Sequence, residues 1–189
     1  MYTAIDTASS EAATHAMRVW DDTAQPTNQG VVPRALAAAL VSTALIWPAM
    51  AGIRWGPHRL VPGAWYRVLR KPSFQPPDVV VPVAWGLIDA ALTFGGYRLL
   101  RKRGSATRNR ALGWWAMNVA MIGGWSGIFF GNRNLPASTA AAALMVGTGA
   151  AYVAEAWRVD KPAAVAGIPY LGWIAFATGL TAALWKRNR

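Results

Sequence analysis

Cysteine is absent from the 189 residues, which removes disulfides, thiolate metal sites and thiol nucleophiles together. Histidine is nearly so: His15 and His58 are the only two, too few for an imidazole-ligated metal and a poor basis for a catalytic one. No phosphate-binding loop, no HExxH and no Ser/His/Asp arrangement occurs, so neither a conventional catalytic residue nor a metal site is expected. Charge is thin, at 14% of residues, and over long stretches it is missing altogether. Residues 35–53, 111–130, 136–154 and 163–185 carry no Asp, Glu, Lys or Arg, and 79–97 is interrupted only by Asp89.

A helix rises 1.5 Å per residue, so each of these runs spans about 30 Å, the thickness of a bilayer core. Lipid offers backbone groups no hydrogen bonds, which leaves helices or a closed barrel, and the runs show no period-two alternation. The chain therefore reads as an all-α integral membrane bundle of five transmembrane helices, a multi-pass protein with spans near 35–53, 79–100, 111–130, 136–157 and 163–185. Short connections make neighbouring spans antiparallel. Residues 34–189 form this one domain. Residues 1–33 hold Asp6, Glu11, Asp21 and Asp22 against Arg18 alone, lack an apolar run, and read as a disordered tail. The connection 54–78 is long for a loop without structure of its own, which points to function.

The net charge of +11 and pI of about 11.1 would suit nucleic acid in a soluble protein. Here the cations lie between the apolar runs, for example Arg101, Lys102, Arg103, Arg108 and Arg110, so the expected partner is membrane lipid and not nucleic acid. Lys and Arg divide ten against nine between the two sides of a five-span chain, which leaves its orientation undetermined.

What the sequence has in excess is tryptophan, eleven residues. Trp55, Trp65, Trp114, Trp115, Trp157 and Trp185 fall near span ends, and for most of them an interfacial aromatic belt is the simpler reading. Trp85, Trp125 and Trp173 lie deeper, where indole faces either pack helices or line a cavity suited to a flat apolar ligand. Asp89 is the one acid well inside a span. A carboxyl there serves a functional site, pairs with a residue such as Arg98, or stays neutral. Gly123, Gly127 and Gly131, spaced by four, form a small-residue face on span three that permits close helix approach; a homodimer is the favoured reading over an internal contact. Pro48 and Pro169 bend their spans.

The stretch WYRVLRKPSFQPPDVVVPVAW at Trp65–Trp85 resembles the tryptophan-rich sensory protein/translocator protein (TspO) family. Two further blocks are similar and in order: Ile128-Phe129-Phe130-Gly131, and PYLGWIAFATGL at Pro169–Leu180. The resemblance covers about residues 35–188. It implies a five-helix bundle, usually dimeric, in which the loop between spans one and two lids a cavity, and it implies porphyrin ligands such as protoporphyrin IX or haem, with no cofactor required. Carried onto this chain, the ligand-binding set is Trp65, Tyr66, Lys71 and Pro72 in the lid, Trp85 in span two, and Trp173, Phe176, Ala177 and Leu180 in span five. Asp89, Trp125 and Phe129 join it as candidates, and the family's third-span dimer face matches Gly123, Gly127 and Gly131. The chain departs from the family at Asp89, where a Tyr is usual, at Ile122 and Thr181, where Asn is usual, at Gly123 and Phe74 for Trp, and at Ala141 for Asp. The expected function is a membrane-embedded binding or sensor protein for porphyrins or related flat lipophilic ligands. Two alternatives stand beside it: light-dependent porphyrin degradation, and transport with Asp89 as a proton or cation site.

Overall fold

The computed structural model describes residues 33–42, 64–77 and 79–189. The expected tail up to residue 32, the second half of span one with Pro48, and residues 54–63 of the long loop lie outside the described residues. Six helices are described: α1, Pro33–Ser42; α2, Ala64–Val68; α3, Val80–Leu100; α4, Ala106–Ser126; α5, Leu135–Trp157; and α6, Lys161–Arg187. A π-helical turn, Gly127–Gly131, extends α4. No strand occurs among the described residues. By length and composition α3, α5 and α6 are each able to cross a membrane. α4 matches α3 at 21 residues but opens with Arg108 and Arg110. The protein is an all-α, multi-pass membrane bundle.

Local chemistry sets the helix starts. Ser105 accepts a hydrogen bond from the Arg108 amide, Asn134 from the Ala137 amide and Asp160 from the Ala163 amide, each relieving an orphan donor of the first turn. Pro136 and Pro162 occupy first-turn positions where no amide is needed.

α3 and α6 run antiparallel. Arg98, near the end of α3, meets Asp160 at the start of α6; an added Cβ on Gly95 would come within 3.3 Å of the Ala163 carbonyl oxygen; and Trp85 meets Trp173. Glycine makes the close approaches. A Cβ on Gly96 would lie 2.6 Å from Trp115 Cζ2, and one on Gly167 2.6 Å from Tyr152 Cε1. Trp115 fills the space over Gly96 and donates from Nε1 to the Leu92 carbonyl at 2.9 Å. At 4% exposure it belongs to the core, not to the interfacial belt suggested by its position in the sequence. Its placement on the inward face of α4, not its distance from the span end, decides this. Trp157 and Trp185 are exposed near helix ends, where a belt residue would sit.

A buried polar knot joins α4, α5 and α6. Asn118 Oδ1 accepts from Tyr170 Oη and from Thr148 Oγ1, both at 2.9 Å, and Asn118 Nδ2 donates to the Trp114 carbonyl at 2.8 Å. Losing the amide would orphan the Tyr170 hydroxyl, whereas Thr148 also reaches the Leu144 and Met145 carbonyls at 3.2 and 3.3 Å. At the bundle end formed by the α3–α4 and α5–α6 connections, Asp160 takes Arg98 through Nε at 2.8 Å and Nη2 at 2.9 Å, and Lys102 Nζ at 2.8 Å. Arg98 is therefore committed to Asp160, and the Arg98–Asp89 pair considered from the sequence does not form. Asp160 reaches Arg98 from the helix start directly opposite, whereas Asp89 lies more than two turns away along α3.

The hydrogen bond from Arg98, reinforced by Lys102 and opposed by burial, lowers the Asp160 carboxyl to about 2 from its ordinary 3.8. A carboxylate with a depressed folded-state pKa adds stability above its unfolded value and loses it on acidification. Thermal unfolding in detergent should therefore show stability falling from about pH 3.8 toward pH 2, and Asp160→Asn should lower Tm at neutral pH and flatten that acid limb. An unchanged acid limb in the variant would place the sensitivity elsewhere. Asn118→Ala should cost about 1–3 kcal/mol by leaving the Tyr170 hydroxyl without its acceptor, read as a drop in Tm larger than that of Tyr170→Phe.

Candidate functional site

The opposite end of the bundle carries residues 64–77, the described part of the long loop. α2 brings Trp65 and Tyr66 onto the bundle. A tight turn follows, closed by the Gln75 amide donating to the Pro72 carbonyl at 3.1 Å, and Pro76-Pro77 lead into α3. Pro72 is buried in this turn. The segment is tied down from 118 residues away. Asn188, just past the end of α6, accepts from the Arg70 amide through Oδ1 at 2.9 Å. Its Nδ2 donates to the Arg70 carbonyl at 3.1 Å and to the Leu184 carbonyl at 2.8 Å. One side chain thus satisfies both backbone groups of a lid residue, as a neighbouring strand would.

Beneath α2 lies the π turn. Its wider hydrogen-bond ring, seen in the Asn132 amide donating to the Gly127 carbonyl at 2.9 Å, presents Phe129 to the interior, where it is 3% exposed. Phe129 stacks on Trp125 with ring centroids 4.9 Å apart and meets Trp65 edge-on at 5.7 Å and Tyr66 at 6.1 Å. Trp125 is fixed by its Nε1 donating to the Ser138 carbonyl at 2.9 Å. Leu135 and Leu184 are buried in this group with Phe129, and Leu69, Phe130 and Leu180 pack against it. Lys71 lays its ammonium 4.4 Å from the Tyr66 ring centroid, a cation–π contact.

A second aromatic group lines the α3–α6 seam. Trp85 meets Trp173 edge to face at 6.5 Å, Trp173 meets Phe176 at 5.7 Å, and Phe176 meets Phe74 of the lid segment at 6.4 Å. Phe176 is 38% exposed; Ala177 is half-buried. A flat guest held between two parallel rings needs about 7 Å between them, so entry between Trp85 and Trp173 requires one indole to turn. One helical turn beyond Trp85, on the same flank of α3, Asp89 keeps Oδ1 buried with no hydrogen-bond partner. One turn further, Thr93 Oγ1 donates to Ser42 Oγ of α1 at 2.9 Å.

The residues suggested by the sequence thus fall into two neighbouring groups: Trp65, Tyr66, Lys71, Trp125, Phe129 and Leu180 under the lid, and Trp85, Trp173 and Phe176 along the seam, with Asp89 flanking. Phe130 and Asn188 are additional. Phe130 stands in the Ile128–Gly131 block, but its role depends on the π turn, for which the sequence carries no signal. Asn188 after Lys186-Arg187 reads only as a helix end; its 118-residue reach is a tertiary fact. The π turn also alters the glycine face. Gly123 and Gly127 are one α-helical turn apart, but Gly131 follows a wider turn and is carried off their line. No atom lies within 4 Å of a Cβ placed on Gly127 or Gly131, so these two make no close internal contact.

Charge separates the two ends. Arg110 and Arg158 share Glu155, at 3.3 and 3.6 Å, at the same end as Asp160. The lid end carries Arg67, Arg70, Lys71, Arg133, Lys186, Arg187 and Arg189, and no acidic residue among those described.

The TspO/MBR family profile matches residues 44–186. A translocator protein from Ovis aries is 34% identical over 128 residues, covering 66% of this chain and 75% of that protein. Protein CrtK of Rhodobacter capsulatus is 31% identical over 131 residues, covering 67% and 80%. A tryptophan-rich sensory protein of Cereibacter sphaeroides is 31% identical over 129 residues, covering 68% and 80%. The profile match takes in the lid, both aromatic groups, α3 to α5 and all but the last residue of α6, and the chain belongs to the TspO/MBR family.

Proposed function

We propose that this protein binds porphyrins, such as protoporphyrin IX or haem, or related flat lipophilic ligands, and acts as a membrane-embedded sensor or carrier of them. The observation that carries the reading is the convergence of the lid, the π turn and α6 on one set of aromatic rings at the bundle's basic end. Aromatic faces match the area of a planar macrocycle and reward its removal from water or lipid. Lys71, Arg67 and Arg70 suit the anionic propionates at its edge. The ligand is cargo, not a resident cofactor, and its binding calls for no acid–base machinery.

In this arrangement the lid is shut on the bundle's own rings: Trp65 and Tyr66 rest on Phe129. A guest replaces ring–ring contacts with ring–macrocycle contacts, so entry costs little packing once the lid lifts. Asn188 is the attachment that must give way or pivot. The same reading pairs two copies through the glycine face of α4, which is open at Gly127.

Titrating protoporphyrin IX into the purified full chain should quench tryptophan fluorescence saturably. Trp85→Ala/Trp173→Ala should weaken binding about tenfold, the sum of two ring contacts; unaltered quenching in the double variant would remove the seam from the site. Asn188→Ala deletes both lid hydrogen bonds. Amide exchange at Arg70 should then quicken about tenfold, as expected for a hydrogen bond worth roughly 1 kcal/mol or more, with faster porphyrin association. Exchange at the parent rate would mean that the lid is held by its rings alone.

A further inference from the structure

We propose that Asp89 is a specificity-determining residue that selects flat aromatic ligands carrying a hydrogen-bond-donating, cationic nitrogen at the edge that enters first. This rests on the flat-ligand reading of the aromatic seam and narrows its ligand class.

Asp89 lies nine residues into α3, about 13 Å along the helix from its lid-side start. That is close to the middle of a hydrocarbon layer about 30 Å thick. A carboxyl at this depth is retained against a substantial desolvation cost unless something answers it. Nothing among the described residues does so: Oδ1 is closed off and makes no hydrogen bond, Arg98 is taken by Asp160, and Thr93, one turn on, is turned to Ser42. A metal ion is a poor answer, since no three His, Asp or Glu side chains gather among the described residues.

The neighbouring chemistry specifies the missing partner. Trp85, four residues earlier, stands on the same flank of α3 as Asp89 and meets Trp173 across the seam. Indole faces attract cations as well as flat rings. A buried carboxylate oxygen that no described side chain answers, beside two indoles, fits a planar ligand whose leading edge supplies a cationic N–H. The lid end has the opposite character, with cations and no described acid. The site is therefore polarised: a donor nitrogen inward, anionic substituents outward. Protoporphyrin satisfies the outer half only, because its nitrogens are central and its rim offers no donor.

The test uses two tricyclic probes of one shape, 9-aminoacridine, cationic at neutral pH, and acridine, which is neutral. Each is titrated into the full chain in a zwitterionic detergent, with tryptophan quenching as the readout and protoporphyrin IX as a third ligand. The native protein should prefer 9-aminoacridine by at least about tenfold, the size of one charge-assisted hydrogen bond. Asp89→Asn should bring the preference of 9-aminoacridine over acridine below twofold, and Asp89→Tyr, which removes the carboxyl differently, should do the same. A native preference below twofold, or one that survives both variants, overturns the assignment; with protoporphyrin still bound through Trp85 and Trp173, the flat-ligand reading stands without it. If none of the three ligands quenches, the flat-ligand site itself fails and this inference falls with it.

Discussion

The pairing of α3 with α6 is the constraint from which the rest follows, and α6 is anchored at each of its ends by a single side chain. Asp160 begins α6, caps it, and draws in Arg98 and Lys102; Asn188 follows its last turn and grips the backbone of Arg70. With the ends set, Gly95 faces Ala163, Gly167 admits Tyr152, and Trp85 can only meet Trp173. The ring contacts of the seam are thus a consequence of helix register. The register is held by polar groups, which in an apolar medium have few alternative partners.

The second consequence is an asymmetry along the bundle. At one end every described acid outside the spans is engaged by Arg or Lys. At the other, cations surround a lid whose aromatic residues rest on a π turn. π turns cost helix regularity and persist where the altered side-chain placement is used; here the turn delivers Phe129 beneath Trp65 and Tyr66. Glycine at 127 and 131 leaves the outward side of that turn bare. The inner face of the segment serves the aromatic group, and the outer face is left smooth.

The fold was legible because charge is excluded from spans and concentrated between them, a rule that depends on composition and not on tertiary contacts. Helix ends were legible where Ser105, Asn134, Pro136, Asp160 and Pro162 give local reasons. Inward or outward placement was harder. Trp115 looked interfacial because its distance from a span end is visible in the sequence, whereas the cavity made by Gly96 on another helix is not. Arg98 was one of the residues considered for Asp89; the helix start that brings Asp160 to it is a matter of packing. The glycine triplet presumed α-helical spacing through Gly131, which the π turn breaks. The candidate residues lie in two groups whose rings pack on one another, a division set by the π turn and the α3–α6 register and not by sequence spacing. Asn188 had no sequence signal beyond that of a helix terminus.

The most direct measurement is the effect of ferric haem, a paramagnetic flat macrocycle, on the indole N–H resonances of the 15N-tryptophan-labelled protein in lipid nanodiscs. A guest held under the lid and along the seam should broaden the signals of Trp65, Trp85, Trp125 and Trp173 at stoichiometric haem, while those of Trp115, packed over Gly96, and Trp157, exposed at the far end, persist. Broadening confined to Trp157 and Trp185, or uniform across all eleven indoles, would mean that haem partitions into lipid around the bundle and that no such site exists.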